Sequence, residues 1–169
     1  FHLFLNSYDF DIVFVTETWL KKTTPNSIIC PNPSYQIFRS DRPNKKGGGA
    51  LIAISCSYIA IQIPTPASSK FDLVVLDISD FQLLYKIRLI CAYRPPNLTT
   101  GDNEIFIDTL SEFILTDSPI IICGDFNYTS FDSSIARPFF EFCESASLKQ
   151  LVEAYTRENH ILDLVISNF

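Results

Sequence analysis

Asp125 and Asn127 present a carboxylate and an amide two residues apart, directly after the short apolar run of residues 119–123. The run is typical of a buried strand, and side chains two residues apart on an extended backbone point the same way. Open sheets commonly carry reactive groups at strand ends, where side chains leave the core. The pair could orient one water molecule or hold one metal-bound oxygen, whereas an Asx-type turn that caps the strand is the structural alternative.

Further apolar runs carry polar residues at or near their ends. Glu17 follows one run, Tyr93 and Arg94 follow a second, and Asp163 lies inside a third. Because burying a polar group without a partner costs about 2–7 kcal/mol, we expect Asp163 to face a hydrogen-bond partner or a metal ion. The three runs span residues 11–16, 86–92 and 161–166.

Taken in chain order, these segments resemble the endonuclease/exonuclease/phosphatase superfamily. The resemblance is greatest to the apurinic-endonuclease-like domain of non-LTR (LINE-type) retrotransposon proteins. Five segments carry it, in the family's order and over nearly the whole chain: residues 11–20 (DIVFVTETWL), 39–55 (RSDRPNKKGGGALIAIS), 91–97 (CAYRPPN), 119–127 (PIIICGDFN) and 156–168 (TRENHILDLVISN).

The resemblance implies a role for each strand-end residue. Glu17 would be the principal ligand of Mg²⁺, or of Mn²⁺ in its place, with Asp125 beside the metal. Asp125 would orient or deprotonate the attacking water, and Asn127 would hold that water or a phosphoryl oxygen. Tyr93 would donate its hydroxyl to the scissile phosphate. Asp163 matches the family's aspartate that orients a catalytic histidine; a structural aspartate is the alternative.

Basic and polar residues near these positions are candidates for contacts with DNA. Arg94 could reach a neighbouring phosphate or buttress the loop, and a surface ion pair is the structural alternative. Thr156 is similar to a threonine near the family's site. Arg42, Lys45 and Lys46 flank a triple glycine and could touch the DNA backbone; a solvated turn explains them equally well.

The resemblance also implies that two family segments lie outside residues 1–169. These are a first strand that carries an asparagine, and a C-terminal Ser-Asp-His segment. We therefore expect one domain that is incomplete at both termini. An active DNA-nicking enzyme and a catalytically inactive relic are both compatible with this expectation.

Composition restricts the class of protein. The 169 residues are 47% hydrophobic, as expected for one globular domain, and no apolar run approaches the ~20 residues that span a membrane. Five cysteines without a CxxC pair indicate an intracellular protein without disulfides. The net charge of −6 argues against a nucleic-acid coat protein, although residues 1–50 carry six basic and four acidic residues, or +2.

Local patterns predict an α/β fold in which strands outnumber helices. Hairpins mix with helical crossovers, which favours two packed sheets with helices outside. The resemblance implies a four-layer sandwich of two mixed β-sheets flanked by helices. The predicted elements include a helix end at residues 3–8, a loop at 23–34, strands at 50–55, 58–63 and 71–78, a hairpin turn at Ser79 and Asp80, and helices at 102–115 and 137–147.

The function that follows from the resemblance is a metal-dependent phosphodiesterase that nicks DNA and leaves a 3′-hydroxyl. Its partners would be DNA and a reverse transcriptase fused downstream. A phosphatase of the same superfamily, acting on inositol phosphates or sphingomyelin, is the enzymatic alternative. Trp19 is expected to pack against neighbouring residues rather than stack on a base.

Overall fold

Strands of two sheets account for most of the regular structure. The structure is a computed structural model that describes residues 1–42, 47–68, 70–80 and 85–169, with the side chains of His2 and Asn6 left out. The elements are α1 (His2–Ser7), β1 (Ile12–Thr16), α2 (Asn26–Ile29), β2 (Tyr35–Ser40), β3 (Ala50–Ser55), β4 (Tyr58–Ile63), β5 (Asp72–Asp80), β6 (Lys86–Tyr93), α3 (Thr100–Ile114), β7 (Ile120–Asp125), α4 (Arg137–Ser145), β8 (Lys149–Gln150) and β9 (Asp163–Ser167).

The smaller sheet has the strand order β1-β3-β2, and its described strands pair antiparallel. The larger sheet has the order β4-β5-β6-β7-β9-β8 and is mixed. Strands β6 and β7 run parallel and are connected through α3, because a parallel pair needs a crossover rather than a tight turn. The carboxyl ends of β6 and β7 therefore lie side by side.

Three apolar clusters separate four layers. One cluster lies between the two sheets and includes Ile52, Val74 and Cys91. The second fills the space between the larger sheet and helices α3 and α4, where aromatic rings such as Phe106 and Phe139 are fully buried. The third lies between the outer face of the smaller sheet and α1 and α2. This arrangement confirms the predicted sandwich of two sheets with helices outside.

Helix α3 differs from its prediction in the face that it buries. It begins at Thr100, and Thr99 caps it by accepting a hydrogen bond from the backbone of Asp102 at 3.1 Å. The helical pattern of the sequence predicts one apolar face made of Ile105, Phe106, Leu110, Phe113 and Ile114. In the structure Ile105 is 57% exposed, and Asn103 is buried instead. The amphipathic pattern therefore identified the helix but assigned one residue to the wrong face.

Two other local predictions were wrong. The loop predicted at residues 23–34 contains the short helix α2. The hairpin turn predicted at Ser79 and Asp80 is strand, because both residues continue β5, and Ser79 pairs with Lys86 of β6. No helix among the described residues has the length and apolar character that crossing a bilayer requires.

Candidate active site at the open end of the two sheets

Four polar residues of the larger sheet form one row. Asp72 opens β5 and pairs with Tyr93, the last residue of β6. Tyr93 pairs in turn with Asp125 at the end of β7, and Asp125 pairs with Asp163 at the start of β9. Directly paired residues carry their side chains on the same face of a sheet. This face packs against the smaller sheet, and its core residues include Cys91. The row lies on the same face, at the end of the space between the two sheets.

Glu17 reaches this row from the smaller sheet. It directly follows β1, and its Oε2 atom accepts hydrogen bonds from the Gly48 backbone at 2.7 Å and from the Trp19 indole at 2.5 Å. The Tyr93 hydroxyl donates to the same carboxylate. Burial raises the pKa of Glu17, but the hydrogen bonds from Tyr93, Gly48 and Trp19 outweigh burial and lower it. Glu17 therefore stays ionised at neutral pH.

Tyr93 is held as a hydrogen-bond donor. Burial raises the pKa of its hydroxyl, and the hydrogen bond to Glu17 and that carboxylate's negative charge raise it further. A phenol in this environment keeps its proton at any physiological pH. Tyr93 can thus donate to one oxygen acceptor at a time, which is Glu17 in this structure.

Asp125 has a pKa close to the neutral range. Burial is the main cause and the charge of Asp163 the second, and together they raise the pKa of Asp125 from 3.8 to about 6. Hydrogen bonds from Asn127 oppose this shift, while the charge of Glu17 adds to it. A carboxylate with such a pKa is ionised at pH 7 and can still accept a proton, as general-base chemistry requires.

Asn127 fixes the turn that follows β7. Its backbone has a left-handed φ of 52°, its N–H donates to Asp125 Oδ1 at 3.2 Å, and its Nδ2 donates to the Arg94 carbonyl at 3.0 Å. The first of these bonds is the Asx-type turn that the sequence left as an alternative. The same turn that caps the strand also orients the Asp125 carboxylate, so the structural and the chemical interpretations are compatible.

Gly124 is required by the close approach of β6 to β7. A Cβ atom at this position would lie 1.8 Å from the carbonyl oxygen of Ala92, a distance at which atoms overlap. Because Ala92 and Gly124 pair directly, only a residue without a side chain keeps Tyr93 and Asp125 in register.

Arg94 lies on the helix side of the larger sheet and is 1% exposed. Its Nε donates to Asn103 Oδ1 at 2.8 Å, and its Nη1 donates to the Phe126 carbonyl at 3.2 Å. Its guanidinium lies 4.2 Å from the centre of the Tyr128 ring, and the Tyr128 hydroxyl donates to Asn103 at 2.7 Å. We call Arg94, Asn103 and Tyr128 the helix-side cluster.

The helix-side cluster gives Arg94 a structural role. Burial lowers the pKa of Arg94, and contacts with Tyr128 oppose this shift. The Arg94 backbone N–H donates to the Asp125 carbonyl at 2.9 Å, so the cluster is bonded directly to the candidate site. A buried guanidinium cannot contact DNA or form a surface ion pair, so these two sequence interpretations of Arg94 are corrected. The third interpretation, that Arg94 buttresses the loop, agrees with its bonds to the Asp125 and Phe126 carbonyls.

Asp72 belongs to the site but was not singled out in the sequence. Its Oδ2 accepts from Arg42 Nε at 2.7 Å and from the Gly49 backbone at 3.0 Å. Arg42 also lies over the Tyr93 ring, 5.1 Å from its centre. An aspartate that opens an apolar strand, as Asp163 does, was the signal that could have revealed it. Of the predicted basic group, Arg42 reaches the site through this ion pair, and Lys45 and Lys46 lie outside the described residues.

Asp163 is exposed at the first position of β9. The premise that it is buried inside an apolar strand was therefore wrong, because the strand begins at this residue. Thr156 Oγ1 accepts hydrogen bonds from the backbone N–H groups of Leu162 and Asp163, at 2.9 and 3.1 Å. In this structure Thr156 thus supports the start of β9.

The side chains in the row offer hard oxygen donors. Within the described ranges, no group of three or more His, Cys, Asp or Glu side chains is arranged to hold a metal ion. Mg²⁺ commonly takes only one or two protein carboxylates and keeps several water ligands. The carboxylates of Glu17 and Asp125 influence each other electrostatically, and their chemistry fits such an ion.

Part of the chain matches a known protein family. A family model described as "Endonuclease-reverse transcriptase" matches residues 87–169, which include Tyr93, Asp125, Asn127 and Asp163. Glu17 lies outside the matched residues. No curated protein matches the chain.

Solved structures share the fold over nearly the whole chain. The endonuclease domain of TRAS1, a telomere-specific non-LTR retrotransposon, has a TM-score of 0.72 at 17% identity, with 97% of this chain and 75% of that one covered. The AP endonuclease LMAP from Leishmania major has a TM-score of 0.71 at 12% identity, with 98% and 72% covered. ANGEL2, a 2′,3′-cyclic phosphatase, has a TM-score of 0.67 at 13% identity, with 98% and 72% covered.

These neighbours include nucleases and a phosphatase, so their common fold does not by itself identify a substrate. The described residues thus share the fold of these solved structures, and residues 87–169 match the "Endonuclease-reverse transcriptase" family model.

Proposed function

We propose that this domain is a divalent-metal-dependent phosphodiesterase that nicks DNA. The observation that carries the proposal is the convergence of Glu17, Tyr93, Asp125 and Asp163 at one end of the two sheets. Glu17 is an ionised carboxylate, the hydroxyl of Tyr93 keeps its proton, and Asp125 is a carboxylate of near-neutral pKa. Those are the groups that hydrolysis of a phosphodiester requires.

Each group has a separate task in the proposed reaction. Asp125 accepts a proton from a water molecule, whose oxygen bonds to phosphorus as the bond to the 3′ oxygen breaks, and the leaving 3′ oxygen takes up a proton from solvent. The Tyr93 hydroxyl turns from Glu17 to a phosphate oxygen and stabilises the charge that develops there. Asn127 holds Asp125 in place through the turn that both residues form. The products are a 3′-hydroxyl and a 5′-phosphate.

Glu17 and Asp125 would hold Mg²⁺, or Mn²⁺ in its place. The ion supplies Lewis-acid stabilisation of the negative phosphate. Asp163 raises the pKa of Asp125 through its negative charge. A net charge of −6 is compatible with a DNA substrate when a dication neutralises the phosphate locally.

The proposed biological setting is a retrotransposon-type protein in which a nicked strand primes a reverse transcriptase. Two findings support it: the description of the family model that matches residues 87–169, and the fold shared with the endonuclease domain of TRAS1. A phosphatase is the second candidate, and its support is the fold shared with the 2′,3′-cyclic phosphatase ANGEL2.

A nicking assay on supercoiled plasmid separates these candidates. We expect Mg²⁺-dependent conversion to open circles whose ends a DNA polymerase extends without prior treatment. Asp125→Ala should reduce the rate by at least about 100-fold, whereas Asp108→Ala on the exposed face of α3 should leave it unchanged. Release of inorganic phosphate from an inositol phosphate, without nicking of the plasmid, would favour the phosphatase. Inactivity of the folded protein on both the plasmid and the inositol phosphate would indicate an inactive relic.

A further inference from the structure

Trp19 is the single tryptophan of the chain and is 68% exposed. The expectation that it packs against neighbouring residues was therefore wrong. It lies three residues after the end of β1, beside Glu17, on the rim of the candidate active site. Single exposed apolar side chains are common on protein surfaces, so what distinguishes Trp19 is its position beside Glu17 and the contacts that hold it.

Two hydrogen bonds hold Trp19, one through its backbone and one through its indole ring. The backbone N–H of Trp19 donates to the Gly48 carbonyl at 3.0 Å, and Nε1 donates to Glu17 Oε2. The backbone of Trp19 adopts a left-handed φ of 54°, which bulky residues avoid. An unfavourable backbone held in place at a site rim is a pattern that functional residues show.

Positive charge continues from the ring along the chain. Lys21 and Lys22 are exposed, and neither forms an ion pair with another described residue. Lys22 also lines a cavity of about 510 Å³ together with Ser40, Thr65 and the ion pair of Arg39 and Asp41. Because Ser40 ends β2 and Thr65 follows β4, this cavity opens at the same end of the sheets as the candidate site.

We propose that Trp19, Lys21 and Lys22 form a binding site for an unpaired stretch of nucleic acid. The inference rests on the proposed phosphodiesterase function and deepens it by naming the form of substrate that this rim recognises. The indole stacks on the face of one nucleobase, and the two lysines contact neighbouring phosphates.

The exposed ring face favours an unpaired base as the occupant. In a duplex, each base face is covered by the next base pair, and proteins reach only the base edges and the backbone. Stacking on Trp19 requires a base that has left the stack or a strand that is already single. The site thus selects a locally opened strand next to the bond to be cut.

The single tryptophan makes the first test specific to this residue. Tryptophan emission of the full chain is titrated, in EDTA, with a short oligothymidylate and with a base-free oligonucleotide of the same length. We expect saturable quenching by the oligothymidylate and at least about fivefold weaker binding of the base-free strand. Equal quenching by both strands, or none by either, would overturn the proposal.

Variants separate stacking from the hydrogen bond to Glu17. Measured by anisotropy of a labelled oligothymidylate, Trp19→Ala should weaken binding by about 5- to 100-fold. Trp19→Phe keeps a ring but lacks the Nε1–H donor, and should stay within about threefold of the parent. Tyr85→Ala is the matched control, because Tyr85 is 75% exposed at the other end of β6.

The outcomes also distinguish this inference from the proposed function. Trp19-dependent binding of oligothymidylate without plasmid nicking would leave the inference standing and contradict the nuclease. Plasmid nicking combined with unchanged binding by a folded Trp19→Ala protein would contradict the inference alone. If Trp19→Ala does not fold, a loss of affinity of about 5-fold or more in Trp19→Phe would show that the hydrogen bond to Glu17, and not stacking, matters, and would overturn the inference.

Discussion

Two polar clusters meet at the same end of the larger sheet, and they differ in how they are exposed. The helix-side cluster of Arg94, Asn103 and Tyr128 is closed: its described side chains are almost fully buried and bond to one another. The candidate active site lies on the opposite face of the larger sheet, towards the smaller sheet, and we call this the cleft side. There, Glu17 and Trp19 are exposed to solvent. Tyr93 and Arg94 are consecutive residues that project to opposite faces, so one strand end supplies both clusters.

This difference separates support from chemistry. Apart from Arg94 Nη2, which is buried without a hydrogen-bond partner, the polar groups on the helix side have exchanged water for fixed protein partners. Losing one partner leaves another group buried and unsatisfied. Groups on the cleft side can exchange a protein hydrogen bond for a ligand. We therefore expect substitutions on the helix side to act mainly on folding stability, and substitutions on the cleft side to act mainly on activity.

The largest effect is expected at the junction of the two clusters. Gly124→Ala places a Cβ atom 1.8 Å from the Ala92 carbonyl, and should lower the free energy of unfolding by at least about 3 kcal/mol. Gly101→Ala in α3 is the control, because no atom lies within 4 Å of its added Cβ, and it should be neutral or stabilise by up to about 1 kcal/mol. Urea unfolding measures both; equal stability of the two variants would contradict the packing argument.

A smaller loss of stability is expected within the helix-side cluster. Arg94→Met removes the donors to Asn103 and to the Phe126 carbonyl, and should lower the free energy of unfolding by about 2–4 kcal/mol. Arg137→Met, at an exposed position of α4, should change it by less than about 0.5 kcal/mol. Thermal and urea unfolding test the difference. If Arg94→Met has the same free energy of unfolding as the parent, the helix-side cluster does not support the turn formed by Asp125 and Asn127.

The smallest effect on stability, and of opposite sign, is expected on the cleft side at Asp125. Its pKa is about 6 in the folded protein against an ordinary value of 3.8, so the folded protein holds this proton more tightly than the unfolded chain does. Stability from this group is consequently lost as pH rises from about 4 to about 6. After allowance for solvent screening, the loss is about 1 kcal/mol.

Asp125→Asn should therefore unfold at higher urea than the parent at pH 7.5 in EDTA, and the gain should disappear at pH 4. Asp108→Asn provides the control, since its side chain is exposed on α3. The same Asp125→Asn protein should fail to nick plasmid. A variant that is less stable than the parent at pH 7.5 would show that Asp125 supports the fold instead of straining it.

Much of the fold could be predicted from the sequence, because strand runs and helix faces are local patterns. The pattern identified β3, β4 and the helix α3 closely. It failed where exposure depends on distant segments: Ile105 lies on the apolar side of its helix pattern but is exposed. The short helix α2 escaped prediction because prolines and asparagines dominate that segment.

The candidate site was predicted as a set of residues but not as an arrangement. Glu17, Tyr93 and Asp125 were recognised because each follows or ends an apolar run, and Asp163 because it was taken to lie inside one; the resemblance gave them roles. Asp72 was missed, although it opens the apolar strand β5, because the resemblance assigned it no role. The direction in which Arg94 points was also beyond the pattern, since it depends on an acceptor supplied by α3.

The sequence by itself determined which residues could carry chemistry, because strand ends and their polar side chains are written in the local order of residues. Only the tertiary structure decided which of them meet. The shared row of Asp72, Tyr93, Asp125 and Asp163 depends on strand register, which hydrogen bonds between distant segments fix. The inward turn of Arg94 and the exposure of Trp19 likewise depend on what packs beside them, and no local pattern contains that information.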